Sequence, residues 1–411
     1  MSTTTMGLTG TASEVTLDRV TFWLFLGFVA ALQLSIAAAN VLLALTFVCW
    51  VAMLVRSRTR PSAPLFFLPL AGYAAATLIS SAFSFEPRTS FVDDKQLLLF
   101  GLVPIVFDLA RGRRGATVID VLVSIGAASA AFGIIQYGVL HYDNLGQRPD
   151  GALTHYMTYS GILMLVVCAA AARLIFGSRD RLWPALVMPA LVVALALTLT
   201  RNAWIGTSAA VATLFVLKDF RLVALAPFAI AALFLLAPPS VTDRVTSTFN
   251  KKDPTSQDRL AMLEIGARIT RDFPLTGVGP NMVPRVYARY RPDYAVNEVN
   301  PHLHNVPVQI VAERGIPALL IWGAFVVVLS IGLLRLFRRG ERLLAATGIA
   351  AVVAMLSAGL FEYNFGDSEF LMTFLVLVTL PFAAARDASV AGSGFSRASV
   401  TPARAAAADH A

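Results

Sequence analysis

Apolar stretches of roughly 17 to 25 residues, the length a helix needs to cross the hydrocarbon core of a bilayer, recur along most of this sequence and leave it few other ways to fold. Twelve candidates lie near 18–37, 39–55, 63–82, 96–110, 116–140, 153–176, 182–199, 201–217, 220–237, 307–336, 341–361 and 367–385. The fourth is short and contains Pro104, and the seventh and eighth almost touch at Thr200–Arg201, so eleven is the other count the pattern allows. With 57% hydrophobic and 14% charged residues over 411 positions, the chain is far more apolar than a soluble protein. The expected fold is an all-α integral membrane protein of about twelve transmembrane helices. Nine fall in 1–237, a long, partly helical outer loop fills 238–306, three more fall in 307–385, and a disordered cytoplasmic tail follows over 386–411.

Loop polarity gives the orientation, because short cytoplasmic loops collect Lys and Arg. Counted from a cytoplasmic N-terminus, the inside connections carry Arg56, Arg58 and Arg60, Arg111, Arg113 and Arg114, Arg173, Arg179 and Arg181, Lys218 and Arg221, and then Arg335, Arg338, Arg339 and Arg342. The short outside loops carry only Arg88, Lys95, Arg148 and Arg201. Both termini then lie inside and the long loop outside; long loops are translocated largely regardless of charge. The net charge of +8 is mostly this orientation signal and calls for no nucleic acid, leaving membrane lipid as the solvent partner. Cys49 and Cys168 sit inside apolar spans as small hydrophobes, not as a disulfide framework. The first 17 residues lack a basic leader region, so the first span is expected to be retained as an anchor.

Ionisable groups are almost absent from the spans, unlike a proton-coupled transporter. Chemistry is therefore expected at the outer surface. Arg201 opens a span in LTLTRNAWIG and either snorkels to the interface or faces a cavity that takes a lipid-linked anion. In the long loop, Thr255-Ser256-Gln257-Asp258 starts a helix over about 257–272, with Leu260, Leu263 and Ala267 on one stripe and Arg259 and Arg268 on other faces. Gly277-Val278-Gly279-Pro280 reads as a turn. A second helix, about 281–291, sets Arg285 and Arg289 on one face beside Tyr287 and Tyr290. Asn305 can cap a helix starting near Pro307. His304, just outside that N-terminus, is biased towards the neutral form that can act as a base. His302, two residues earlier, is expected to point elsewhere. Glu362, Asp367 and Glu369 cluster in the last outer loop, either solvated or as an acidic metal site; the preferred reading has no metal and no cofactor.

His304-Asn305 followed by Gln309, Glu313, Gly315 and Ile316 resembles a pattern of the O-antigen ligase and polymerase superfamily. Arg259 followed by Pro274-Leu275-Thr276-Gly277-Val278-Gly279, and Thr200-Arg201-Asn202-Ala203-Trp204, are similar to two further motifs of that family. Val308, Pro307 and Pro317 depart from the pattern. The resemblance implies an O-antigen ligase with a GT-C-like glycosyltransferase fold, working without a metal at the periplasmic face of a bacterial inner membrane. Its donor would be O-antigen on undecaprenyl diphosphate and its acceptor a sugar hydroxyl of lipid A-core. His304 would be the general base and Arg201 and Arg259 would hold the diphosphate, with Arg285, Arg289, Asn305, His302 and Arg268 as further candidates. A polymerase, a protein-glycosylating ligase and, from another class, a lipid-linked-sugar flippase remain alternatives.

Overall fold

No water meets a backbone N–H or C=O in a bilayer core, so a spanning segment must satisfy its own. The computed structural model is accordingly helical, with no strand among the described residues, which are 12–178, 181–225, 235, 238–246 and 254–396. In chain order the helices are α1 (Ala12–Ala31), α2 (Ile36–Ser57), α3 (Phe67–Ala82), α4 (Pro87–Asp93), α5 (Leu102–Leu109), α6 (Arg114–Gly138), α7 (Tyr156–Phe176), α8 (Leu182–Leu197), α9 (Arg201–Lys218), α10 (Pro239–Thr246), α11 (Pro254–Asp272), α12 (Val283–Tyr290), α13 (Val306–Arg338), α14 (Arg342–Gly359) and α15 (Ser368–Ser396). Six are long and apolar enough to cross a membrane, namely α2, α6, α7, α13, α14 and the Ser368–Arg386 part of α15; α3 and α8 are apolar but shorter. The chain is an all-α, multi-pass membrane protein.

Lipid gives helices no hydrophobic reason to associate, so close packing between small residues does most of the work. The apolar windows of α7, α14 and α15 are 72–78% buried, against 17% for α2, which places the first three inside and α2 at the periphery. The small-residue runs Cys168–Ala172 in α7 and Ala345–Gly348 in α14 belong to that interior. Around it α9 packs on α14 and α7, α3 on α13, and α5 on α15.

Four stretches differ from the sequence expectation. The fourth candidate, 96–110, is not one helix: a 3-10 stretch over Asp94–Gly101 gives way to the eight-residue α5. Pro104 then sits in the first turn of α5, where its missing N–H costs nothing. Of the ninth candidate, 220–237, the 3-10 turn Phe220–Leu225 is described and most of the rest lies outside the described residues. The last helix runs on past Arg386 to Ser396, no proline intervening; 397–411 lie outside the described residues. Finally, α13 is broken at Gly315 (φ 79, ψ 172), so its first turns belong to the outer layer and its remainder to the membrane platform. Pro307 and Pro317 each fall in a first helical turn, one on each side of the break, which removes the geometric difficulty they posed.

The outer layer has its own core of Met262, Ile265, Ile269, Met282, Val283, Tyr287, Leu303 and Ala312. The buried stripe of α11 is therefore Met262-Ile265-Ile269, while Leu260 and Leu263, expected together on its apolar face, are exposed. The helix carries two apolar stripes, and the one with Met262, Ile265 and Ile269 faces Leu303 and Ala312 in the core. Main-chain hydrogen bonds tie residues 274–279 to α13 on both sides of the break: Val278 N donates to Ala312 O (3.0 Å) and Gly279 N to Glu313 O (2.9 Å) before it, and Ile316 N to Pro274 O (2.8 Å) beyond it. The Ser80 hydroxyl of α3 bonds the carbonyls of both Thr276 and Glu313. A Cβ at Gly315 would stand 2.2 Å from the Leu275 carbonyl oxygen, and one at Gly277 would stand 2.3 Å from the carbonyl carbon of Glu313. Gly315 also occupies a backbone region that is essentially glycine's alone, where another residue costs about 1–3 kcal/mol. Gly315→Ala is expected to lower the thermal unfolding midpoint in detergent by several degrees; an unchanged midpoint would show that the two segments can separate freely.

Candidate active site

The N-terminal ends of α7, α9 and α13 converge at one end of the bundle, each with backbone N–H groups and a partial positive charge pointing out of its helix. His304 is set just before α13 by its neighbours. The Asn305 side chain accepts from Val308 N (3.0 Å) and donates to Leu360 O (2.9 Å), which is the expected cap. Leu303 N donates to Gln309 Oε1 at 2.7 Å. Between these two anchored residues His304 holds a left-handed backbone conformation (φ 46), strain of the kind found where a side chain must be aimed.

His304 Nδ1 lies 2.8 Å from Glu362 Oε2. A carboxylate only accepts, so Nδ1 carries the proton of the neutral ring and Nε2 is left as the acceptor. Glu362 Oε1 accepts from Tyr363 N at 3.0 Å and lies 3.7 Å from His302 Nε2. Burial works against the Glu362 carboxylate, but the hydrogen bond from His304 and the proximity of both imidazoles outweigh it and keep its pKa below the usual value. His302 does not point elsewhere: its ring packs edge-on to that of His304 with centroids 4.2 Å apart. A two-residue step that alternates in an extended strand does not do so across a left-handed backbone. Burial, opposed by Glu362 and joined by His304 and His155, lowers the His302 pKa to about 4, so this ring is neutral near pH 7.

Two cavities adjoin at His304. One, about 290 Å³, is lined by Arg148, Arg201, Arg244 and Arg259, with Asp258 as the single carboxylate among its described lining residues. Asp258 is already engaged by Asn297 N (3.1 Å), Asn297 Nδ2 (2.6 Å) and Asn300 Nδ2 (3.1 Å). Arg201 is buried at the start of α9, and the Arg259 guanidinium lies 5.7 Å from the Phe361 ring centroid. Arg148 stacks on Tyr156 at 4.1 Å. Burial lowers the Arg148 pKa, Tyr156 opposes this, and Arg201 adds to it. Such crowding of like charge suits an anionic occupant. The other cavity, about 400 Å³, is lined by His155, Thr158, His302, Glu362, Asn364 and Asp367 among others. Tyr156, Met157, Asn202 and His304 line both.

Arg201 and Arg259 are thus brought to His304, and Asn305 and His302 stand beside it. The other arginines are not brought there. Arg285 pairs with Glu86 (3.1 Å), Arg289 lies over the Tyr290 ring (5.5 Å), and Arg268 binds Glu264 and the Tyr290 carbonyl. Tyr287 and Tyr290 are buried, whereas Arg285 and Arg289 are exposed. The acidic trio of the last loop also separates. Glu362 serves the histidines, while Asp367 caps α15 through Phe370 N (2.9 Å) and bonds Thr158. If a cation were bound, His302, His304 and Glu362 are the group to hold it, with ligand atoms within 4.8 Å of one another. Arg148 and Arg244 were missed as site residues, because as sequence they are single arginines in loops with no motif around them.

Residues 186–323 match the family model described as O-antigen ligase. The match takes in Arg201, Arg259 and His304 but stops short of Glu362. No curated protein matches the chain.

Proposed function

We propose that this chain, whose residues 186–323 match the family model described as O-antigen ligase, belongs to that family and transfers a polysaccharide from undecaprenyl diphosphate to a sugar hydroxyl of lipid A-core. The observation that carries this reading is the position of His304 between an arginine-lined cavity and a second, mixed cavity. The arginines take the diphosphate and the second cavity takes the acceptor. The acceptor oxygen forms a bond to the anomeric carbon as the carbon–oxygen bond to diphosphate breaks. The electron pair leaves with the diphosphate, and the hydroxyl proton passes to Nε2 of His304. Direct displacement inverts the anomeric centre. Negative charge grows on the leaving group, and guanidinium groups fixed in advance stabilise it without a metal. Glu362 holds the imidazole ring and stabilises the imidazolium that forms, as a positioning residue.

The same reading places twelve crossings in a GT-C-like arrangement in a bacterial inner membrane, with both termini cytoplasmic and the site periplasmic. The decisive assay supplies purified protein in detergent with lipid-linked O-antigen and lipid A-core, with and without chelator. The expected product is the glycan on lipid A-core at an unchanged rate in chelator. Joined lipid-linked glycans would mean a polymerase instead, and loss of transfer in chelator would move the three ligand atoms around Glu362 into a metal role.

Glu362→Gln keeps the size of the side chain but can neither fix the tautomer nor balance an imidazolium. It is expected to lower kcat about 10²-fold while leaving the donor KM near the wild-type value. A matched rise in KM with kcat intact would assign Glu362 to substrate binding.

A further inference from the structure

The opposite end of the bundle carries an opening of another kind. A groove of about 570 Å³ lies between the C-terminal parts of α13 and α15, floored by Phe66, Phe107 and Phe382 and edged by Arg335, Arg339 and Arg386. Arg335 stands some 20 residues beyond the break at Gly315, on the order of 30 Å along a helix, so the groove is remote from His304. No acidic side chain is among its described lining residues.

One of its arginines is held in place. Arg386 donates to Asp108 Oδ1 (2.8 Å) and to the Phe107 carbonyl (3.4 Å), and its guanidinium lies 4.5 Å from the Phe107 ring centroid. Asp108 is shared with Arg111 (3.1 Å), Trp50 Nε1 (3.1 Å) and Ser62 Oγ (3.2 Å), so one carboxylate faces two guanidinium groups. Arg335 and Arg339 lie one turn apart on the exposed face of α13 beside it. The floor is aromatic and aliphatic, which suits a hydrocarbon chain, and the rim is cationic, which suits a phosphate. A free inorganic anion would satisfy only the rim.

We infer that this groove binds a glycerophospholipid with a negatively charged head group, its phosphate among Arg335, Arg339 and Arg386 and an acyl chain along Phe66, Phe107 and Phe382. Basic pockets between transmembrane helices recognise anionic lipids on these terms. The inference is independent of the glycosyl transfer proposed above.

The test adds phosphatidylglycerol, phosphatidylcholine or inorganic phosphate to full-length protein in detergent and reads retained lipid by native mass spectrometry together with the thermal midpoint. Wild-type protein is expected to retain phosphatidylglycerol over phosphatidylcholine and to be stabilised by it. The Arg335→Gln/Arg339→Gln variant is expected to retain about tenfold less phosphatidylglycerol. Arg338→Gln, which removes a neighbouring charge that does not line the groove, is expected to behave as wild type. Equal retention of the two lipids by wild-type protein, equal loss in Arg338→Gln, or equal stabilisation by inorganic phosphate would each overturn the assignment. The wild-type comparison stands even if the double variant does not fold.

Discussion

His304→Ala is expected to slow transfer by about 10² to 10⁴, the usual contribution of a positioned general base, while the protein still binds its lipid-linked donor. Nε2 of His304 is the acceptor left open once Glu362 holds Nδ1. The donor's diphosphate is assigned to arginines that the substitution does not touch. His304→Asn is the sharper companion. Asparagine tolerates the left-handed backbone at this position, so it preserves the path of the chain into α13 while removing the base. If His304 only shaped the turn, the asparagine variant would recover activity; if it takes the proton, both variants fail alike in single-turnover transfer at saturating donor. A fully active alanine variant would sink the mechanism, and would favour a protein that moves the lipid-linked sugar without reacting it.

The second large effect is expected at Arg201. It is buried at the first turn of α9, with Arg148, Arg244 and Arg259 lining the same cavity. A charge-assisted hydrogen bond contributes about 1.5 to 3 kcal/mol net, which corresponds to roughly ten- to a hundredfold in rate. Arg201→Ala should cost about this much in kcat/KM, and Arg201→Lys should recover only part, because a point charge cannot bind two phosphate oxygens as a planar fork does. Arg285→Ala is the control: that side chain pairs with Glu86 and lines neither cavity, so its transfer rate is expected to stay within about twofold of wild type. Equal losses at Arg201 and Arg285 would mean that the effect is one of overall charge.

The sequence made the large features legible because they rest on local chemistry. Apolar length marked the membrane helices, an asparagine before a proline marked the start of α13, and the N-terminal end of a span marked Arg201. What it hid depends on contacts between distant segments. Glu362 lies 58 residues after His304 and carried no sign of its partner beyond sitting in an acidic loop. The buried stripe of α11 could not be chosen between two apolar candidates without knowing what packs on it. Gly315 looked like one residue of a motif. Only its φ of 79 and the carbonyl of Leu275 against it show that the motif glycine divides one helix into two. Arg148 and Arg244 had no pattern to single them out, and they line the cavity with Arg201 from separate segments of the chain.

The joint at Gly315 also bears on how such a protein can diversify. Residues 274–279 bond through main-chain groups to both sides of the break in α13, at 312–313 and at 316, with Ser80 bonding two of the carbonyls. Main-chain bonds ask little of side-chain identity beyond the glycines that let the strands of chain approach. The loop can therefore drift in sequence while the imidazole stays in register with α7 and α9. The break likewise gives the membrane half of α13 a direction of its own, separate from the turns that follow His304.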